Sequence, residues 1–232
     1  MIAVIAVLAL VAAVKDPADG SPSVHALVER CVSAYGGPRA LARAARVREV
    51  GTVTSLLHPG VVGRIGRAWS RPGRLRIEVD FPAEPGELRV LSGDRGWRGG
   101  QEVSGPYLDS MRLQAARLDL PALLRERERD LVDRGTQSMD GRKVRVLALA
   151  IGPSLMVEAW LDPATGRILR SRSAGSGGGP LEFVTTYEDH RVVDGVLVAF
   201  REVNWANGRT TGETVLQEVS FPAELSDDLF GP

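Results

Sequence analysis

Three histidines, one cysteine and a balanced set of charges are the reactive groups this 232-residue chain offers. His25, His58 and His190 fall on a helix start, a turn and a strand end. None has another histidine or cysteine two or four positions away, the spacing that sets two donors on one face, so no metal site is expected. Cys31 is alone, which excludes a disulfide within the chain and a cysteine-based metal site. It sits in a helical pattern and reads as a small apolar residue on a buried face. Asp189-His190 could form half of an acid–base pair, but its place beside a turn favours a plain polar pair. Gly175 to Gly179 resembles a phosphate cradle only in composition. It lacks the following Lys-Ser/Thr and leads into a strand, where a phosphate loop leads into a helix. There is no G-x-S-x-G elbow and no dinucleotide fingerprint. No catalytic residue, cofactor or metal is expected.

What remains is apolar surface on strands and helices. Ile77, Val79, Met156, Trp160, Phe183, Phe200 and Trp205 are candidates to line a cavity, or to be plain core. Leu108, Met111 and Leu113, on a helical insertion, are candidates for a lid. An enclosed apolar groove needs no catalytic group. Each buried methylene contributes about 0.8 kcal/mol, so a chain of about fifteen carbons gains on the order of 12 kcal/mol before ordering costs.

Such a cavity needs a frame, and the pattern supplies one. Leu181 to Phe221 reads as three strands, with Asp194-Gly195 before the second and Asn207-Gly208 joining the second to the third. Both dipeptides accept the positive φ of two-residue hairpins. Upstream the period is two from Val47 to Leu57, then from Val62 to Ser70 after a turn at Pro59-Gly60. Ile65, Arg67 and Trp69 share one face of that second strand. Leu75, Ile77, Val79 and Phe81 alternate with Arg74, Arg76, Glu78 and Asp80, a strand wet on one side. Further strands follow at Glu87 to Ser92, at Trp97, from Leu131, and through Lys143–Leu149, Leu155–Leu161 and Arg167–Ser173. Ser171 to Pro180 is predicted as a mobile surface loop. The tail after Phe221 is predicted to pack at the sheet edge.

Helices punctuate this run. Ser23 can cap a helix over Val24–Tyr35, with Leu27, Cys31 and Tyr35 in one stripe, and Pro38 can open a short second helix. Gly105 to Arg129 has helical spacing, split in two by Pro121.

Strand runs without alternating helices exclude parallel βαβ units. A sheet this wide must curl. The fold expected is α+β: one strongly curved antiparallel sheet of ten or eleven strands, an unclosed half-barrel with helices covering its concave face.

Lys+Arg and Asp+Glu number 29 each, so no long-range field steers the chain onto nucleic acid. Met1 to Val14 is nearly all apolar. It is too short for a bilayer span but fits the core of a secretory signal, although no basic residue precedes it. Residues 1–22 are therefore expected to be a leader and 23–232 one domain, exported to the periplasm.

One order of motifs is more specific than its parts. It runs Ala34-Tyr35-Gly36-Gly37, Gly51-Thr52-Val53, Arg71-Pro72-Gly73-Arg74-Leu75-Arg76 and Gly93-Asp94-Arg95-Gly96-Trp97. It continues through Leu161-Asp162-Pro163-Ala164-Thr165-Gly166, Tyr187-Glu188-Asp189 and Val193-Asp194-Gly195-Val196. Across residues 24 to 230 this resembles the bacterial outer-membrane lipoprotein-sorting proteins of the LolA/LolB-like superfamily. The resemblance implies an unclosed barrel with an apolar concave face, carrying lipid or lipoprotein acyl chains as a monomer, with an envelope membrane protein as a possible partner. It assigns no functional residue; Arg64 and Arg67 lie where a family arginine is expected, and neither can be matched to it. The other expectation is a cell-envelope interaction module whose interior is filled.

Overall fold

The computed structural model describes residues 22–175 and 181–232. The leader, and most of the glycine-rich segment before Leu181, lie outside them. Helices α1 (Val24–Ala34) and α2 (Gly37–Arg43) open the domain, and α3 (Gly105–Leu118) and α4 (Leu120–Glu126) lie midway. The first run of strands is β1 (Arg46–Ser55), β2 (His58–Ser70), β3 (Arg74–Asp80), β4 (Glu87–Ser92), β5 (Arg95–Arg98) and β6 (Gln101–Val103). The second is β7 (Val132–Met139), β8 (Arg142–Gly152), β9 (Leu155–Leu161), β10 (Ile168–Gly175), β11 (Leu181–Val193), β12 (Val196–Ala206) and β13 (Arg209–Ser220).

All thirteen join one antiparallel sheet in the order β6-β5-β4-β3-β2-β1-β13-β12-β11-β10-β9-β8-β7. The sheet is two meanders, each built from neighbours in sequence, fused at one non-local pairing. At that seam Thr52 faces Val215 and Ser55 faces Gly212. The backbones approach so closely there that a Cβ on Gly212 would stand 2.0 Å from the Thr54 carbonyl oxygen. The unclosed half-barrel with helices is as expected, with more strands than counted.

Three local readings change. Strand β6 is only three residues long, below what periodicity detects. The first hairpin turns at Leu56-Leu57, with Ser55 opposite His58, and Pro59-Gly60 lies within β2, in an irregular stretch that absorbs the extra residues. Ser171–Gly175, predicted as part of a mobile loop, is strand paired with both β9 and β11; the rest of that predicted loop, residues 176–180, lies outside the described residues. The hairpins at Asp194-Gly195 and Asn207-Gly208 form as predicted, with positive φ at all four residues.

Helices and sheet bury two adjoining clusters. Leu27, Val28, Cys31 and Val32 of α1 and Leu120 and Leu124 of α4 pack on Leu147, Leu149, Val157, Ala159 and Leu161. Met111 of α3 and Ala40 of α2 pack on Ile65, Trp69, Leu75, Ile77 and Val79. Ser23 caps α1 by accepting from the Ala26 N–H, as predicted. The break between α3 and α4 falls at Asp119, and Pro121 occupies the first turn of α4, where its missing N–H costs nothing. The tail does not run along the sheet edge. Leu225 and Phe230 pack on Val90 and Trp97, the side of β4 and β5 opposite Leu91 and the helices, because those two residues leave an apolar patch that β3's arginines border.

Candidate ligand-binding hollows beneath the helices

Two hollows lie between the helix layer and the sheet. The first, about 100 Å³, is mostly apolar. Its roof is the α3–α4 junction at Leu118, Asp119 and Leu120; Val47, Trp69, Val198 and Val219 line it from the strands. The second, about 320 Å³, is of mixed polarity and lies along the other flank of α3, between Leu113, Gln114 and Arg117 and the far halves of β1, β2 and β10–β13.

Arg117 and Glu202 line both hollows. They belong to a buried cluster of four charges. Arg67 of β2 gives Nη1 to Glu202 Oε2 at 2.8 Å and Nη2 to Glu202 Oε1 at 3.2 Å. Its Nε stands 2.6 Å from Glu49 Oε2. Arg117 reaches down from α3 to Glu202 at 3.3 Å. Two cations and two carboxylates share the site, so burying it is tolerable only because each charge is paired. Burial pushes the Glu202 carboxyl up, but Arg67 and Arg117 outweigh it and hold it down at about 2. Burial dominates at Glu49 and raises its carboxyl, against the pull of Arg67.

A second ionic contact ties the roof to the sheet. Arg71, at the end of β2, sets Nε 3.0 Å from Asp119 Oδ2 in the α3–α4 junction and donates to the Leu41 carbonyl of the α2 helix. Burial pushes the Asp119 carboxyl up to about 7, although Arg71 pulls the other way.

The predicted lining residues divide by face. Ile77 is fully buried in the helix-facing cluster and Val79 lines the second hollow. Phe183 and Trp205 line that same hollow. Met156 and Trp160 do not join them. In β9 the buried positions are Leu155, Val157, Ala159 and Leu161, so the residues between project from the opposite face. There Met156 Sδ lies 3.6 Å from Arg134 Nη2, and the Arg170 guanidinium lies over Trp160 at 5.2 Å. Phe200 is buried under the Arg191 guanidinium, 4.3 Å from its ring centroid, and lines neither hollow. Of the lid residues, Leu108 and Met111 pack into the cluster on β2–β4, and Leu113 lines the second hollow. The α3–α4 junction, which roofs the apolar hollow, lies just beyond those three.

The residues weighed for catalysis stay apart. The Asp189 carboxylate accepts from Arg191, at 3.1 and 2.6 Å, and not from His190. Among the described residues no group of three or more His, Cys, Asp and Glu could hold a metal ion. Cys31 is fully buried, and burial lifts its thiol to about 12, far from the reactive thiolate. Arg64 and Arg67 part ways: Arg64 is exposed and Arg67 holds the centre of the charge cluster. Its one signal in sequence was a charged residue sharing a strand face with Ile65 and Trp69. No helix among the described residues is long and apolar enough to cross a membrane.

No family model and no curated protein matches the chain. Solved structures do. A LolA-superfamily protein from Nitrosomonas europaea matches over 91% of this chain and 99% of its own, at 15% identity and a TM-score of 0.60. A domain described as an outer-membrane lipoprotein-sorting protein, from Vibrio parahaemolyticus, matches over 90% and 97%, at 13% identity and a TM-score of 0.52. A DUF1329-family protein from Desulfovibrio piger matches over 89% and 96%, at 11% identity and a TM-score of 0.51. The fold of this chain is the one found in LolA-superfamily and lipoprotein-sorting proteins.

Proposed function

We propose that this chain is a non-catalytic periplasmic carrier or binding protein for an apolar ligand, a lipid or the acyl chains of a lipoprotein. The observation that carries this reading is the apolar hollow on the sheet's helix-covered face, roofed by the short α3–α4 junction. Its lining is mostly Val, Leu, Ile, Ala and aromatic side chains, joined by the ionic groups Glu49, Arg71, Arg117, Asp119 and Glu202. One polar mark stands out. The Trp69 indole N–H is buried and finds no acceptor among the described residues, which suits the carbonyl oxygen of an ester or amide on the ligand. The apolar run at residues 1–14 supports export.

At rest the hollow is small. An apolar cavity of about 150 Å³ holds one benzene, so about 100 Å³ holds a few methylenes at most. A full acyl chain enters only if the α3–α4 roof lifts away from β1, β2 and β12. The gain of about 0.8 kcal/mol per buried methylene must offset the contacts given up. This smallness also supports the second reading, an envelope interaction module with a filled interior and a protein partner.

Mass spectrometry of organic extracts from the purified full chain tests the two. Co-purifying lipid supports the carrier. A lipid-free protein that takes up no added fatty acid, yet crosslinks to an envelope protein, overturns it.

A further inference from the structure

We infer that the second hollow is a binding site in its own right, for an organic monocarboxylate with a compact apolar body, its carboxylate seated on the Arg89 guanidinium. This goes beyond the carrier reading and does not rest on it. The buried Arg67–Glu202–Arg117 partition stands between this hollow and the apolar one, so each takes its own ligand.

Arg89 Nε is the starting point. The side chain is 25% exposed, yet this nitrogen is shut off from solvent and finds no acceptor among the described residues. Glu87 Oε1 stands 3.7 Å away, beyond hydrogen-bonding reach. That oxygen already accepts from the Tyr107 hydroxyl at 3.0 Å and lies 3.0 Å from Arg98 Nε. Arg89 Nη1 donates to Gln114 Oε1 at 3.3 Å, a long bond to a neutral group. Buried donors in folded proteins are nearly always paired, so an idle one on the wall of a hollow calls for an acceptor from outside the chain. Other arginines with a buried Nε differ. At Arg67 and Arg71 a carboxylate oxygen stands 2.6 and 3.0 Å from that nitrogen. Arg145 and Arg170 line neither hollow. Among the described residues only Arg89 combines an unmatched Nε with a hollow to face.

The charge balance sets the sign and size of the ligand's charge. Arg67, Arg89 and Arg117 line the hollow with Glu87 and Glu202, and Glu49 and Arg98 touch that set from behind. Four cations thus meet three carboxylates, and the unmatched charge falls on Arg89. Glu84 does not line the hollow and is held by His58 at 2.9 Å. One negative charge fits, and a guanidinium edge offers a carboxylate two parallel donors. A phosphate dianion brings a second charge against Glu87 and Glu202 with no cation left for it.

The sheet lays an apolar floor beside that edge. Arg89 lies opposite Ile77 and Ile77 opposite Arg67, so two strand spacings, about 10 Å, separate the two arginine positions. In the next row Glu87 lies opposite Val79 and Val79 opposite Ile65. Val79 and Ile65, with Phe81 and with Leu113 of α3, line the space for the ligand's body. An apolar cavity of about 150 Å³ holds one benzene, so about 320 Å³ takes a body of up to about twelve carbons. A neutral chain could fill the same floor but would leave the guanidinium unmatched.

Titration calorimetry on the full chain at about pH 8, where carboxylic acids are ionised, tests this with octanoate, octanamide, octyl phosphate and acetate. Octanoate should bind at least about tenfold more tightly than octanamide, which lacks the charge, and than acetate, which lacks the body. Arg89→Met should remove the advantage over octanamide and leave octanamide binding and the melting temperature unchanged. Arg89→Lys keeps the charge without the fork and should recover only part of it. Arg170→Met, which removes an equally idle Nε stacked on Trp160 at the outer face, should change nothing. Octanamide or acetate binding as tightly as octanoate overturns the inference, as does octyl phosphate binding about tenfold more tightly. An Arg89→Met variant with full octanoate affinity overturns it too. A chain that yields lipid on extraction but binds no octanoate ends this inference and leaves the carrier standing; one that binds octanoate through Arg89 but holds no lipid does the reverse.

Discussion

Arg67 Nη1 lies 2.8 Å from Glu202 Oε2, and this pair forms the heart of the partition between the two hollows. Arg67 comes from the first meander and Glu202 from the second. The bond therefore crosses the β1–β13 seam from beneath, with Glu49 of β1 on the arginine's other side. Charge here serves position. It divides the concave face into an apolar end and a mixed end, and through Arg117 it holds α3 above the division.

Replacing Arg67 by Met should be costly. It leaves Glu49 and Glu202 buried with one arginine between them, a loss on the order of 3–5 kcal/mol in urea unfolding. Adding Glu49→Gln and Glu202→Gln should recover most of that, because the penalty lies in the uncompensated carboxylates. A single variant as stable as the parent would show that water reaches the cluster freely.

The Arg71–Asp119 contact predicts a pH dependence with a definite sign. An aspartate in the unfolded chain titrates near 4, and burial lifts Asp119 to about 7 in the fold. Between these values the folded state binds the extra proton. Stability contributed by Asp119 is full below about pH 4 and is lost as pH rises through about 7, with a slope of up to about 1.4 kcal/mol per pH unit. Glu202, held down at about 2 while an unfolded glutamate titrates at about 4, slopes the opposite way and only below about pH 5. Glu49 slopes the same way as Asp119, so the difference between parent and Asp119→Asn isolates the aspartate. The variant should show a flatter melting-temperature profile from pH 4 to 7. Identical profiles would mean Asp119 stays ionised throughout.

Much of this was legible in the residues, and the failures have physical causes. The alternation in β3 told inside from outside because one face is charged. In β9 both faces carry apolar residues, and periodicity cannot say which turns inward. Met156 and Trp160, the larger ones, lie outward under Arg134 and Arg170, whose guanidinium groups cover them in place of a core. The pairing of Arg67 with Glu202 spans 135 positions and obeys no local rule. The short β6 and the displaced first hairpin were lost to strand pairing that local turn residues do not fix.

The seam between the meanders offers a clean comparison. Gly212 and Gly66 both sit in strands at φ values open to any residue, yet a Cβ on Gly212 meets the Thr54 carbonyl at 2.0 Å while one on Gly66 meets only the Glu78 side chain at 3.9 Å. Gly212→Ala should force β1 and β13 apart and cost more than about 2 kcal/mol. Gly66→Ala should be neutral or stabilise by up to about 1 kcal/mol, since alanine loses less chain entropy on folding. Equal effects in denaturant titrations would show that the seam has slack.

The carrier reading makes its sharpest prediction at Val198. Its side chain lines the apolar hollow and is half-buried, so Val198→Phe places added carbons where a ligand's first methylenes would lie. Overpacking a tight core costs about 1–3 kcal/mol, but here there is empty space to receive the ring, so the melting temperature should fall by only a few degrees. Bound lipid, by contrast, should drop at least about tenfold, because losing two or three methylene contacts at about 0.8 kcal/mol each exceeds the 1.4 kcal/mol that a factor of ten requires. Val192→Phe, on the exposed part of β11, controls for added bulk and should leave the lipid content unchanged. If Val198→Phe retains as much extractable lipid as the parent, the ligand does not use this hollow, and the roof over it has another purpose.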